Sequence, residues 1–557
     1  MRQFFKECWF LARPYWKSEE RWAARALLLV IVGLNLGQVY LSVLINRWNN
    51  DFYNSLQNVD KDAFYAALVR FSYLAFAFIL VAVYKTYLNQ MLRIKWRRWM
   101  TSQWLSTWLH KQHYYRMQLL GNPTDNPDQR ISEDIEQFIA LTLGLSLGLL
   151  SALVTLFSFL TILWGLSGSL EFTVMETQVS IPGYMVWVAF LYAIVGTWVT
   201  MKIGRPLINL NFNQQRYEAD FRFSLVRLRE NSESVAFYSG ESQEHANFTQ
   251  RFSSVVDNFW EIMKREKMLN WFTSGYHQVA IIFPFVVAAP RFFAGKIQMG
   301  GLMQTASAFG HVQSALSYII DAYGSIATWK AVVERLTGFS QNIQRSEIAA
   351  APPAGLEHTA DANAIHAEKL TIRLPDGKEL LSGLDFHIKP GDSLLVTGPS
   401  GRGKSTMLRA LAGLWPFMEG KLSLPSPDRM MFVPQKPYMP MGTLRQAIYY
   451  PAAPGQDDSE LLDIMKLCQI DHLAGRLDEV ALWSHILSLG EQQRIAFARV
   501  LLDKPDFLFL DESTSALDSE TEAALYSLIK ARLPAIALIS VGHRDSLRPF
   551  HVIEKKV

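Results

Sequence analysis

Apolar residues along this 557-residue chain fall into two regimes, long runs up to about residue 324 and short runs after residue 365. The long runs cover 23–45, 67–91, 139–166, 181–203, 275–295 and 301–324. Each is near the ~20 residues a helix needs to cross the hydrocarbon core, so six membrane spans are predicted. The connections between them differ in kind. Those at 92–138 and 204–274 are long, helical in pattern and rich in cations, among them Arg93, Lys95, Arg97, Arg98, Arg205, Arg216, Arg222, Arg227 and Arg229, whereas 46–66 and 167–180 are short and hold few. Positive charge stays on the cytosolic side, which places both termini there.

Before the first span, residues 1–21 interleave Phe4, Phe5, Trp9, Phe10, Tyr15 and Trp16 with Lys6, Arg13, Lys17 and Arg21. This pattern predicts an amphipathic elbow lying on the cytosolic membrane surface. The membrane domain then occupies 22–340. Within it Asn35, Gln38, Ser42, Asn46 and Asn49 recur at spacings of three and four, on one face of the first span, and His311, Ser314, Tyr318 and Asp321 form a second stripe on the sixth. Polar groups at membrane depth face a bundle interior or water. Two readings stand side by side for them: the lining of a substrate cavity, and hydrogen bonds between helices without substrate contact; a proton pathway is a third for His311 and Asp321. For His277, near the cytosolic end of the fifth span, a structural hydrogen bond is the preferred reading.

Residues 341–364 are polar, rich in Ala and Pro and without periodicity, which marks a linker to a second domain at 365–557. There the apolar run ending at Thr397 breaks into Gly398, Pro399, Ser400, Gly401, Arg402, Gly403, Lys404, Ser405 and Thr406, a phosphate-binding loop opening a helix. Its amides and the helix N-terminus face an anion, Lys404 adds a full charge near the β- and γ-phosphates, and Ser405 is placed to hold Mg²⁺. A second short apolar run, Phe507 to Leu510, ends in Asp511 and Glu512, as expected of a buried parallel strand with carboxylates at its C-terminal end.

Between and after these come Leu487, Ser488, Leu489, Gly490, Glu491, Gln492, Gln493 and Arg494, then Ser515 to Asp518, then Ile539 to His543. The series resembles the nucleotide-binding domain of ABC transporters. That resemblance implies ATP and Mg²⁺ as ligands. Gly398 to Thr406 become Walker A and Asp511 the Walker B metal carboxylate. Glu512 becomes the catalytic base, Gln435 the metal-touching Q-loop glutamine, and His543 the switch histidine at the γ-phosphate. It further implies that Asp518 lies at a dimer seam and that Ser488, Gly490 and Glu491 bind ATP held by a second subunit, so that one chain cannot complete a site. Two departures from the family pattern carry expectations of their own. Leu489 stands where glycine is usual, and 366–383 contain no aromatic to stack on adenine, leaving Leu374 or Pro375 for that role.

In the membrane half, Asn126 to Ile131 and Glu230 to Glu241 resemble segments of the ABC subfamily that contains the peroxisomal fatty-acyl transporters and their bacterial relatives, and Arg47 to Tyr53 also resembles the SbmA/BacA-like proteins, closest to the bacterial YddA type with a fused ATPase. The fold implied is the type IV, exporter-like arrangement: an all-α six-helix transmembrane domain followed by an α/β P-loop ATPase. The function implied is ATP-driven transport of a bulky amphipathic solute, such as a peptide, an acyl or lipid-like molecule or a cobalamin-like one. The implied setting is a homodimer in a bacterial inner membrane, with coupling segments near 126–135 and 233–244. A soluble mechanical ABC ATPase and an ATP-binding regulator without transport are the rival readings; the six spans oppose the first, and Lys404, Asp511, Glu512 and His543 the second.

Composition agrees with a membrane part joined to a soluble part: half the residues are hydrophobic, 13% are aromatic and mean hydropathy is +0.07. A net charge of +3 is too small to argue for nucleic acid. Cys8 and Cys468 are the only cysteines and are far apart, which supports neither a disulfide framework nor a thiolate metal site.

Overall fold

The computed structural model describes residues 2–119, 126–174, 177–349, 356–359, 363–399, 401–455 and 458–557; the side chains of 169–180, 348–349 and 356–359 are not described. The chain divides into two compact units, Met1–Thr107 with Asp125–Ser340, and Trp108–Thr124 with Gln341–Val557.

The first unit is helical. Five helices are long and apolar enough to cross a membrane: Arg21–Gln57, Lys61–Leu119, Pro127–Ser167, Tyr184–Glu230 and Glu241–Phe293. The expected sixth span is also a helix, Met299–Asp321, but it falls short of the apolarity of the other five. Its composition follows from its place. It packs against four of the others and buries Gly300, Gln304, Thr305, Gln313 and Ser317, small and polar residues that let helices approach closely and bond across the contact. At Gly300 a Cβ would lie 2.1 Å from the carbonyl oxygen of Asn50, so only glycine fits. The apolar heart of the unit gathers Phe159, Leu163, Met185, Ala189, Phe309 and Val312.

The connection 204–274 is helical almost throughout, with a short helix Ser232–Phe237 at its turn. The connection 167–180 contains an element that the hydropathy pattern leaves out: Ser169–Val174 and Thr177–Pro182 form an antiparallel hairpin.

In the second unit, five parallel strands lie in the order Ile553–Lys556, Ser393–Thr397, Ala537–Val541, Phe507–Asp511, Met430–Val433. Alternate residues of the central strands feed two cores. Leu394, Val396, Phe507, Phe509 and Ile539 pack with Met407, Leu408 and Leu411 of the helix Lys404–Leu411. Leu395, Leu508, Leu510 and Leu538 pack on the other side with Ile495 and Phe497 of the helix Leu489–Asp503. Burial on both faces explains why these strands read as unbroken apolar runs rather than as alternation. A separate four-stranded sheet orders Leu356–Thr359, Met418–Ser423, Ile365–Arg373 and Glu379–Ile388.

Candidate active site

Adjacent parallel strands deliver the chemistry to one edge of the five-stranded sheet. Ser393–Thr397 ends in the phosphate loop, Phe507–Asp511 in Asp511 and Glu512, Ala537–Val541 two residues before His543, and Met430–Val433 two residues before Gln435. Ligands of open parallel sheets bind in this crevice at the carboxyl ends of strands.

The loop itself is shaped by left-handed glycines. Gly398, Gly401 and Gly403 take φ of 146°, 80° and 93°, and a Cβ on Gly398 would lie 2.2 Å from the carbonyl oxygen of Val557. Lys404 is buried, yet its ammonium is fully engaged: Nζ donates to the carbonyls of Gly398 at 2.7 Å and Pro399 at 3.0 Å and lies 3.0 Å from His543 Nε2. Arg402 is exposed and Thr406 lies within the first turn of the helix. Ser400 lies outside the described residues.

Ser405 Oγ donates to Asp511 Oδ1 at 3.0 Å. Burial pushes the Asp511 carboxyl above the usual carboxylate range, with Glu512 adding to the effect while the bond from Ser405 opposes it. Glu512 takes φ 45°, a left-handed conformation uncommon outside glycine, and its amide donates to Val541 at 3.0 Å. Its carboxylate accepts from Gln435 Nε2 at 3.4 Å and lies 3.4 Å from His543 Nε2. Asp511, Glu512, Gln435 and His543 are thus one connected cluster around the phosphate loop. Its hydroxyl, carboxylate and amide oxygens are the hard donors that Mg²⁺ takes. Ser405, Asp511 and Gln435 fit that ion and would hold it, and it would supply positive charge at the phosphate loop.

Ser488 stands apart from this cluster. It caps the helix Leu489–Asp503 in a reciprocal box: Glu491 N donates to Ser488 Oγ at 3.3 Å, and Ser488 N donates to Glu491 Oε2 at 2.9 Å. His472 Nε2 lies 2.8 Å from Glu491 Oε1. Burial raises the Glu491 carboxyl, but the bonds from Ser488 and His472 outweigh it and hold it below its ordinary value. Ser488 is exposed, and among the described residues its side-chain bonds go only to Glu491. Leu489 opens the helix with its side chain exposed, so the glycine-to-leucine departure leaves the cap intact. Asp518 caps the next helix, Ser519–Arg532, accepting from Thr521 N at 2.8 Å and Thr521 Oγ1 at 2.9 Å.

One residue that motif reading passes over ties these parts together. Gln493, fully buried, donates to the carbonyl of Gln435 at 2.9 Å and to Ser515 Oγ at 3.2 Å, and accepts from Ala516 N at 3.0 Å. It joins the Q-loop, the signature helix and the segment after Glu512. A second finding is that the short helix His113–Leu119, from the first long connection, belongs to the ATPase unit. Arg116 donates to the carbonyl of Gly413, two residues past the phosphate-loop helix, at 3.4 Å, buried His113 lies 2.9 Å from Ser346 Oγ, and Leu119 packs on the ATPase core.

The polar stripes of the membrane unit are engaged mostly from helix to helix. Asn35 is buried and donates to the carbonyl of Leu147 at 3.3 Å; Gln38 accepts from Lys85; Ser42 donates to the carbonyl of Gln38 at 3.0 Å. Asn46 and Gln304 bond reciprocally, at 3.1 Å and 3.3 Å, and Asn50 donates to Gln304 Oε1 at 2.6 Å. His311 stacks on Phe159 at 4.0 Å and, with Ser314, His277 and Asn49, lines a cavity of 630 Å³. Tyr318 donates to the carbonyl of Leu145 at 3.0 Å. Asp321 is placed elsewhere, in a cavity of 350 Å³ with Thr200 and Arg335.

Fold and site define an ATP-hydrolysing domain fused to a bundle of membrane-length helices. Residues 11–293 match the family described as ABC transporter transmembrane region 2, and 381–515 match ABC transporter. The Escherichia coli inner membrane ABC transporter ATP-binding protein YddA is 36% identical over 96% of this chain and 94% of its own length. The human lysosomal cobalamin transporter ABCD4 is 28% identical over 98% of this chain and 92% of its own. A bacterial Atm1-family ABC exporter with ATP bound shares the fold, with a TM-score of 0.74 at 18% identity over 93% of this chain and 91% of that one. The chain belongs to the ABC transporter family, as a half-transporter whose ATP hydrolysis is coupled to transport.

Proposed function

We propose that the chain acts as a homodimer in a bacterial inner membrane, with both termini cytosolic. Two composite ATP sites would drive a bulky amphipathic solute across: a peptide, an acyl or lipid-like molecule or a cobalamin-like one. The observation that carries the shared site is the separation of Ser488 from the rest. Lys404, Ser405, Asp511, Glu512, Gln435 and His543 form one cluster in one chain, while Ser488 is exposed at a helix N-terminus with side-chain bonds only to its own cap. Such an N-terminus suits a phosphate arriving from outside the chain.

In the working site, Lys404 and the loop amides would hold the phosphates, Ser405, Asp511 and Gln435 would hold Mg²⁺, which would supply positive charge beside them, Glu512 would orient and deprotonate the attacking water, and His543 would contact the γ-phosphate. Contact of His113–Leu119 with the ATPase core offers a route for passing its closure to the membrane helices. The cavity flanked by His277, His311 and Ser314 mixes amphipathic and apolar walls, which supports a bulky solute over a small ion. The relationship to a lysosomal cobalamin transporter supports the same size class.

Mixing Ser488→Arg chains with Lys404→Ala chains tests the shared site. Each homodimer is expected to be inactive, and the mixture to regain ATPase activity, because one of the two heterodimer sites then combines an intact phosphate loop with an intact signature. No recovery in a mixture shown to contain heterodimers would place the whole site within one chain.

A further inference from the structure

Backbone pairing between the strands Phe507–Asp511 and Ala537–Val541 ends where the chemistry begins. Glu512 N closes the ladder by donating to the carbonyl of Val541 at 3.0 Å, and the segment 513–518 and His543 lie beyond it. How Glu512 and His543 stand to each other is therefore set by side chains, and hydrolysis depends on that geometry.

A bracket of two side chains spans the gap. Arg544, the residue after His543, donates from Nη1 to the carbonyl of Leu517 and from Nη2 to that of Ser515, each at 2.8 Å. The segment it grips is turned back onto Glu512: Ser515 N donates to the carbonyl of Glu512 and Leu517 N to that of Thr514, each at 3.0 Å. Behind the guanidinium sits Glu522, in the first turn of the helix Ser519–Arg532 and 0% exposed. It accepts from Thr514 Oγ1 at 2.6 Å and from Ser546 Oγ, and lies 3.5 Å from Arg544 Nη1. A buried carboxyl is tolerated when its oxygens are occupied in this way. Glu522 thus touches both segments, through Thr514 and through Ser546, and Arg544 joins them directly.

We propose that Arg544 is a positioning residue for ATP hydrolysis, holding His543 in place relative to Glu512 through the carbonyls of Ser515 and Leu517, with Glu522 bracing it from behind. This rests on the roles proposed above for Glu512 and His543. Among the described residues Arg544 makes no hydrogen bond to Lys404, Ser405, Asp511 or Gln435, so it acts through the two segments it joins. Arginine is the cation this place calls for. Two carbonyls two residues apart need two donors held in one plane, which the guanidinium fork supplies and a lysine ammonium, a compact point charge, does not. Charge balance for Glu522 alone would be met by either.

Steady-state ATPase kinetics and thermal unfolding of the full-length protein test this, measured side by side for Arg544→Lys, Arg544→Ala, Arg548→Lys and Glu512→Gln. Arg544→Lys is expected to turn over about ten-fold more slowly than wild type, less than the ~10²-fold that a misplacement of about 1 Å can cost. Its Michaelis constant for ATP and its melting temperature should stay close to wild type, because the charge beside Glu522 remains and no nucleotide contact is lost. Arg544→Ala should be slower still and less stable; the side chain is 40% exposed, so its truncation opens no core cavity. Arg548→Lys makes the same change in the same short helix, at a residue paired with Asp545 and Glu554, and should match wild type. Wild-type turnover in Glu512→Gln would overturn the reading of the site, and this inference with it. With Glu512→Gln slowed as expected, wild-type turnover in Arg544→Lys would overturn the inference alone, by reducing Arg544 to a charge partner of Glu522. So would a raised Michaelis constant in place of the lost turnover, or an equal loss in Arg548→Lys.

Discussion

The ATPase unit and the membrane unit both gather polar side chains, but the first keeps Gln435 and His543 exposed whereas the second buries Asn35 and Asn46, and they satisfy them in opposite ways. At the sheet edge, groups from four adjacent strands converge: Ser405 on Asp511, Gln435 and His543 on Glu512, Lys404 on its own loop carbonyls. Each bond there can be exchanged for a bond to phosphate, metal or water. Along the membrane helices the bonds instead run between elements whose packing they hold, as Asn35 to Leu147, Asn46 to Gln304 and Tyr318 to Leu145 do. A cluster at the ends of rigid strands is preorganised for chemistry, whereas a ladder between helices specifies which helices meet and in what register.

The largest way to break the first pattern is Glu512→Gln. It keeps shape and removes the carboxylate proposed as the base, so turnover should fall about 10²–10⁴-fold while ATP binding persists. Measuring hydrolysis beside retained nucleotide checks this, and wild-type turnover in the mutant would refute the role.

Next comes Gln493→Leu, which strands the Gln435 carbonyl, Ser515 and the Ala516 amide at once. Leaving a fully buried partner unpaired costs about 1–3 kcal/mol, and these part-buried ones cost less. Turnover should drop about ten-fold with little change in the Michaelis constant for ATP, since no contact to nucleotide is removed and 1.4 kcal/mol corresponds to one decade. Gln493→Glu, which retains the acceptor for Ala516, should recover part of the loss. A change in ATP affinity alone would argue against a positioning role.

On the membrane side, Asn46→Leu should lower stability by about 0.6–2 kcal/mol, the worth of an interhelical hydrogen bond in a bilayer protein. Thermal unfolding in detergent measures it, and basal ATPase per folded molecule should stay unchanged. An unaltered melting point would mean that the Asn46–Gln304 pair does not hold the first and sixth helices together.

The smallest effect expected on the resting protein, and the most discriminating, is that of His311→Ala. Basal hydrolysis should match wild type and substrate-stimulated hydrolysis should fall, because His311 lines the 630 Å³ cavity and touches no residue of the ATP site. Asp321→Ala, in a different cavity, separates the two stripe positions: equal effects would tie them to one pathway, and unequal ones would assign the solute to the His311 side.

By itself the sequence determined the presence of an ABC ATPase domain, since each motif is a short contiguous segment. Gly398 to Thr406, Asp511 and Glu512 carry their own local geometry: a left-handed glycine loop opening a helix, and a buried strand ending in acids. It also determined long apolar helices, because twenty apolar residues in a row have few other fates. Tertiary structure decided the rest. Gln493 carries no role in the motif reading, and only packing brings three elements together on it. The stripe at Asn35, Gln38 and Ser42 was open to two readings because period 3.6 shows which residues share a face but not what that face meets. The apolarity of Met299–Asp321 fell short because its neighbours, not lipid, surround it. The His113–Leu119 helix lies with the ATPase core through contacts to residues some 230 to 300 positions away in sequence. Local spacing determines conformation and the chemistry a segment can hold, whereas partnership between distant segments depends on packing, which no single stretch of chain encodes.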